Sequence, residues 1–435
     1  MKLNYGKTVL VGLAFLTISS FWQLYDFIVP LILKNTFQIS DTLAGFIMSL
    51  DNIFALFMLP LFGVLSDKTH TPIGRRKPYI IFGTIAAVVF MMGIPFAAQT
   101  KLLVLFMVAL GLVLVSMSTY RSPAVALMPD ITPKPLRSKG NAVINLMGSI
   151  GGAVILLLNS FLAPDSTRPE TANYWPIFIT TAGIMLAGMI ALVLTVNEPK
   201  LVKKMRQDSA AMGIDPEEAK EKEPAVQTKQ KLPKEVRASM VLILVSIFLW
   251  FMGYNAVTTA FSKYAVNALG LKESAASLIL MVAVIAATLA FIPVGFISSK
   301  VGRRKSIMFG VILLTAAFGT AALYSEYSPL MYVNFAAAGI AWAAINVNSL
   351  PMVLEMSKGA SVGKYTGYYY TFSMAAQVVT PIVSGALLEH VGYYTLLPYG
   401  AIFVALAFLT MLFVRHGDSK PLKAAARLET LSAAD

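Results

Sequence analysis

Several ionisable side chains of this chain sit inside long apolar runs, where a charge survives only if it is neutralised, paired or hydrated. Asp51 lies sixteen residues before Asp67. That is a rise of about 24 Å along a helix, past the middle of a hydrocarbon core about 30 Å thick. Asn52 is its neighbour. Asp26 follows Trp22 and Gln23 by about one helical turn, so an acid and an aromatic face share one side. Sugars favour that pairing, because their C–H faces pack on aromatic rings while their hydroxyls need charged or amide partners. Arg121 lies deep in another apolar run and needs an anion, for which Asp26, Asp51, Asp130 and Glu355 are the available acids. Asp130 is nine residues further on, about 13.5 Å along the same helix, so the partner belongs to another helix, or is a set of substrate hydroxyls that a planar fork of donors suits. Asp130, Asp51 and Glu355 are the candidate proton carriers. A second set of binding candidates is Trp250, Tyr254, Asn255, Asn346 and Asn348. Each has a plainer reading: a lipid-facing tryptophan, a solvated vestibule acid, or an aspartate capping the next segment.

The elements that position these groups are membrane spans. The 435 residues are 57% hydrophobic and 13% charged, with a mean hydropathy of +0.70, which excludes a soluble domain. Windows of about 20 apolar residues predict twelve spans: 8–33, 42–65, 78–98, 102–128, 140–163, 175–196, 238–262, 274–297, 306–324, 329–355, 364–388 and 395–414. An even number puts both termini on one side. With both in the cytosol, 29 of the 35 Lys and Arg fall on cytosolic segments, against Lys34, Lys101, Arg168, Lys263 and Lys272 on the other face. The positive-inside rule therefore orients the chain, and it absorbs the net charge of +13 without a nucleic-acid partner. The first span has no credible cleavage site and is expected to be retained.

Gly-Arg-Arg-Lys occurs at residues 74–77 and again at 302–305, an offset of 228 at which Trp22 meets Trp250 and Pro123 meets Pro351. The chain is thus expected to be an all-α membrane protein of two six-helix halves related by a pseudo-two-fold axis, residues 1–199 and 238–415. A charged cytosolic linker (200–237) joins them and a tail (416–435) follows. Gly63, Asp67, Gly74, Arg75 and Arg76 in the first loop, and Gly302, Arg303 and Arg304 in the second, are gate candidates. Glycine permits the tight turn, and Asp67 can accept from an arginine or a helix N-terminus. Ser299 stands where the second copy would carry the acid.

Twelve spans, a central linker and doubled basic loops resemble the major facilitator superfamily over the whole chain. The extended loop at 65–79 and the residues Pro123, Ala126, Leu127 and Asp130 are similar to the sucrose–proton symporters and their bacterial and animal relatives. Trp22 and Pro30 keep the spacing found there. The resemblance implies a proton-carrying role for Asp130. It departs at Val125, where the family has an arginine that Arg121, one turn earlier, can replace. Melibiose-permease-type symporters use two span-two aspartates for sodium; the matching positions here are Ala55 and Leu59, so a proton is the expected coupling ion.

These readings point to a proton-coupled importer of a disaccharide or glucoside, such as sucrose or maltose. It is expected to be a monomer in the plasma membrane, with no cofactor, metal or nucleic acid. The alternative is a proton-linked exporter of drugs or small metabolites, against which the amides Gln23, Asn52, Asn255, Asn346 and Asn348 weigh. An enzyme is not expected, because there are no cysteines and His70, His390 and His416 all fall in loops or at span ends. The tyrosines at 365 and 368–370 read as an interfacial belt, and Gly148, Gly151 and Gly152 as helix-packing contacts.

Overall fold

The structure, a computed structural model, describes residues 4–133, 137–168, 171–211, 233–356 and 362–418. The linker expectation for residues 212–232 and the tail expectation beyond 418 fall outside them. Fourteen α-helices order the described chain: α1 (Tyr5–Leu31), α2 (Asp41–Lys68), α3 (Lys77–Met91), α4 (Gly93–Thr100), α5 (Leu103–Ile131), α6 (Arg137–Leu162), α7 (Trp175–Thr195), α8 (Glu198–Ala211), α9 (Lys234–Asn267), α10 (Glu273–Val301), α11 (Arg303–Ala321), α12 (Leu330–Glu355), α13 (Val362–His390) and α14 (Leu396–Leu412). They make twelve segments long and apolar enough to cross a membrane, α3 and α4 forming one of them. A π-turn at Ile32–Thr36 prolongs α1. No strand is present among the described residues.

The two six-helix halves meet through three seams: α2 on α13, α6 on α10, and α1 on α9. Exchange of the halves maps the first seam onto the second and the third onto itself, which is the pseudo-two-fold arrangement. Glycines set the closest approaches. A methyl on Gly45 would overlap the Pro381 carbonyl, one on Gly385 the Asp41 carbonyl, and one on Gly151 the Leu16 carbonyl. Small residues are how apolar helices approach without help from the hydrophobic effect.

The α2–α13 seam is closed at one end and split at the other. Gly45 and Ser49 are buried in it, yet Leu56 and Pro60, each eleven residues on and on the same face, are exposed. On α13, Pro381 is buried and Tyr370, eleven residues earlier, is 52% exposed. The gap opens toward the end that carries both Gly-Arg-Arg-Lys loops, called here the basic end.

At the basic end each half is tied within itself. Gly74 (φ 117°) and Gly302 (φ 103°) make the turns in the left-handed region that favours glycine. Arg76 bonds Asp67, and its Nε donates to Asp130 Oδ2 at 2.8 Å, while Arg75 Nη2 pairs with Asp130 Oδ1 at 2.7 Å. Gly63 lets α2 approach α5, since a Cβ there would stand 3.0 Å from Ser122 Oγ. The buried carboxylate of Glu198, at the start of α8, accepts from the backbone N–H of Arg75, Arg76 and Lys77 at 2.8, 3.0 and 3.1 Å. It thereby caps the first turn of α3 with a negative charge. In the second half Arg303 pairs with Glu355, and Arg304 N donates to Asp418 Oδ1 at 3.3 Å. Asp130 and Glu355 are thus held by loop arginines at the basic end, which corrects the expectation that either could partner Arg121.

Glu198→Ala strips three charge-assisted bonds from one helix start and is expected to destabilise the fold by about 2 kcal/mol or more. Glu198→Gln, which keeps one acceptor oxygen, is expected to lose less. Thermal unfolding of purified protein checks the order, with the exposed Glu235→Ala as a substitution expected to change little.

Candidate functional site

The gap leads to a cluster of groups near the middle of the bundle. α1 supplies Trp22, Tyr25 and Asp26; α2 supplies Asp51 and Asn52; α5 supplies Arg121. Trp22 and Tyr25 meet edge to face with ring centroids 5.5 Å apart. The Arg121 guanidinium stands 5.4 Å from the Trp22 ring centroid, a cation–π distance. Asp51, Tyr120, Asp26 and Tyr370 all lie within electrostatic reach of it. Even so, Arg121 makes no ion pair within 4.0 Å among the described residues. Asp51 Oδ1 instead accepts from Asn52 Nδ2 at 2.8 Å. One cation therefore faces two carboxylates without contacting either, which leaves room between them for a proton or a polar ligand.

The second half supplies an aromatic group of its own. Tyr254 of α9 stacks on Trp342 of α12 with centroids 3.7 Å apart and planes 4° off parallel, and Phe251 meets the same indole edge to face at 5.2 Å. Asn346, one turn from Trp342, is exposed on the α12 face opposite the outward-facing Val333 and Ile340. Two buried donors nearby have no partner, Trp22 Nε1 and Asn255 Nδ2. A buried donor without an acceptor costs about 1–3 kcal/mol, so an incoming ligand that accepts from it recovers that loss.

Some expected site residues lie elsewhere. Trp250, the repeat mate of Trp22, is fully buried in the core between helices. Asn348 is 2% exposed and spends its amide on the Ala344 carbonyl of its own helix at 2.9 Å. Gln23 is half-buried, its Oε1 turned toward Gly152 of α6. The tyrosines divide: Tyr369 is buried and shares a 3.1 Å hydrogen bond with Ser349, while Tyr370 lines the gap within reach of Arg121. Trp342 has no aromatic counterpart at the repeat offset, where Leu114 stands, and only its position one turn before Asn346 could have marked it. His70 lines a cavity of about 660 Å³ between the extended loop and α8, at the basic end and away from this cluster.

Comparison with known proteins places this geometry. A family model described as the Major Facilitator Superfamily matches residues 11–289 and 243–434. The chain is 23% identical over 290 residues to the isoprimeverose transporter of Lactiplantibacillus pentosus, covering 64% of this chain and 56% of that protein. It is 28% identical over 136 residues to sucrose transport protein SUC3 of Arabidopsis thaliana, covering 27% of this chain and 23% of that one. The chain thus spans about half the isoprimeverose transporter and under a quarter of the plant protein. Among solved structures, a bacterial homologue of the human lysosomal transporter Spinster, inward-facing and unoccupied, superposes with TM-score 0.69 at 14% identity, covering 97% of this chain and all of that one. The nucleoside transporter NupG gives 0.66 at 15% identity over 94% of this chain and all of that one. The chain is a multi-pass membrane transporter and belongs to the Major Facilitator Superfamily.

Proposed function

We propose that this transporter is a proton-coupled sugar symporter that imports a disaccharide or glucoside by alternating access between its two halves. The observation that carries the proposal is the Asp26–Asp51–Arg121 cluster, with Tyr370 of the second half within its reach beside a gap open at one end only; the Tyr254–Trp342 stack adds an aromatic face in the second half. Aromatic faces at Trp22 and Trp342 suit the C–H faces of two sugar rings. Arg121, Asn52, Asn255 and Asn346 supply donors for the hydroxyls between them. The names of the matched relatives, an isoprimeverose and a sucrose transporter, support a sugar substrate. By the positive-inside rule the basic end lies in the cytosol with both termini, so the open gap faces inward across the plasma membrane. The working unit in this reading is one chain.

Proton coupling is assigned to Asp51, with Asp26 beside it. With both acids ionised the cluster carries one net negative charge, and one proton makes it neutral. A proton and a sugar taken together thus let the loaded carrier cross its occluded state without a bare charge in low dielectric. On proton release the cluster returns to one net negative charge, which Arg121 drawn toward Asp51 partly compensates on the return step.

Purified protein in liposomes, offered a labelled panel of isoprimeverose, sucrose and maltose, is expected to accumulate one or more of them under an inward proton gradient. A protonophore abolishes that accumulation, and a sodium gradient does not replace it. Net expulsion of drug-like cations with no sugar uptake would establish the exporter reading instead. Asp51→Asn is expected to abolish accumulation while sugar exchange across equilibrated membranes stays within a few-fold of the parent.

Trp342→Ala is expected to raise the half-saturating sugar concentration about tenfold with maximal rate little changed, the size of a lost ring stack. Trp250→Ala, cut from the core, is expected to lower thermal stability by about 3–5 kcal/mol instead. Uptake kinetics beside unfolding curves for the two variants check that contrast.

A further inference from the structure

The closed end holds a second ionic cluster, remote from the sugar site. Asp41, the first residue of α2, is 1% exposed. Its Oδ1 accepts from Lys263 Nζ of α9 at 2.8 Å. Its Oδ2 accepts from Lys34 Nζ at 2.8 Å and from Tyr393 Oη at 3.0 Å. Lys34 belongs to the π-turn after α1, so it shares a half with Asp41; Lys263 and Tyr393 belong to the other half. The Lys263 side chain is 5% exposed and the Lys34 side chain 30%. One carboxylate thus carries two ammonium partners, one from each side of the seam that must part if this end opens.

We propose that Lys263 is the bolt of this gate and Lys34 its stand-by counter-ion, which keeps Asp41 paired after the bolt withdraws. The inference rests on the alternating-access reading above and adds to it the residues that set the balance between the two states. When the halves separate here, Lys263 and Tyr393 leave together and Lys263 meets water at the new mouth. Asp41 remains near the first turn of α2 as a neutral pair with Lys34. Without Lys34 the same movement leaves Asp41 with no ammonium partner at the rim of the new mouth, and losing a partner of a partly desolvated pair is destabilising. In the closed state the balance is reversed. Two ammonium groups share one carboxylate, so losing Lys34 leaves a matched pair with Lys263, whereas losing Lys263 frees the seam. Two lysines on one carboxylate therefore act in opposite directions. A purely structural ion cluster would make both removals destabilise the same state.

The test exploits a chain with no cysteine of its own. Leu102→Cys and Leu323→Cys, both exposed at the closed end and one in each half, carry spin labels in the full-length protein in lipid nanodiscs. The ratio of long to short label distances then reports opening. Lys263→Met is expected to raise that ratio about tenfold and Lys34→Met to lower it about tenfold, since ten is the population change for each 1.4 kcal/mol. In an Asp41→Asn background, where no carboxylate needs a partner, Lys34→Met is expected to change the ratio less than twofold. Shifts of the two lysine variants in the same direction, or no shift in either, overturn the inference and leave alternating access intact. A single short distance in every variant, with and without a proton gradient, overturns alternating access itself. If a methionine variant fails to fold, Lys263→Gln and Lys34→Gln are measured in its place against the same expectation.

Discussion

A charge in a membrane core must be compensated, and the placement of the ionisable groups within the described spans follows from that constraint. Where the protein needs rigidity the compensation is complete: Arg75 and Arg76 are shared between Asp67 and Asp130, and Glu198 closes the first turn of α3. Where it needs a reversible site the compensation is left loose. Arg121 faces Asp26 and Asp51 with no direct bond to either, and rests its guanidinium on an indole. Direct ion pairs there would fill the space a ligand requires. Distance alone separates a latch from a binding site built of the same residue types.

The two halves solve the same packing problem with different electrostatics. Both basic loops turn at a glycine, and both are capped by an acid from beyond the last helix of their half, Glu198 in one and Asp418 in the other. The first loop pairs two arginines with two aspartates; in the second, Arg303 is bonded to the single acid Glu355. The binding wall diverges further. The first half contributes the charged groups and the second contributes the Tyr254–Trp342 stack and amides. Pseudo-symmetric backbone is thus compatible with two halves of unlike chemistry, one presenting charged groups and the other stacked rings and amides.

The architecture was legible in the sequence because hydropathy and lysine–arginine bias are summed over many residues. All twelve predicted spans coincide with helices, though α1, with its π-turn, and α9 run several residues beyond their apolar windows. That Asp26, Asp51 and Arg121 lie within spans was legible too, but their mutual approach was not fixed by their positions along the helices. Which side of a helix is covered was not legible. Trp22 and Trp250 occupy equivalent positions in the repeat, yet α9 is packed by both α13 and α14 and Trp250 is fully buried while Trp22 is only partly so. Asp130 looked free because its partners lie 54 and 55 residues earlier on a different loop. Asp41 gave no signal, since an acid in the first turn of a helix is ordinary, and its buried partner lies 222 residues away.

The crossing of α2 and α13 is made by backbone against backbone, Gly45 on the Pro381 carbonyl and Gly385 on the Asp41 carbonyl. No rotamer has to be selected when such a joint re-forms, and no side chain has to be cleared when it parts. Friction in a repeated motion comes largely from interlocked side chains. A bare crossing of this kind is a bearing by construction: if the proposed alternation parts the halves here, only the few polar contacts around it have to be broken and remade.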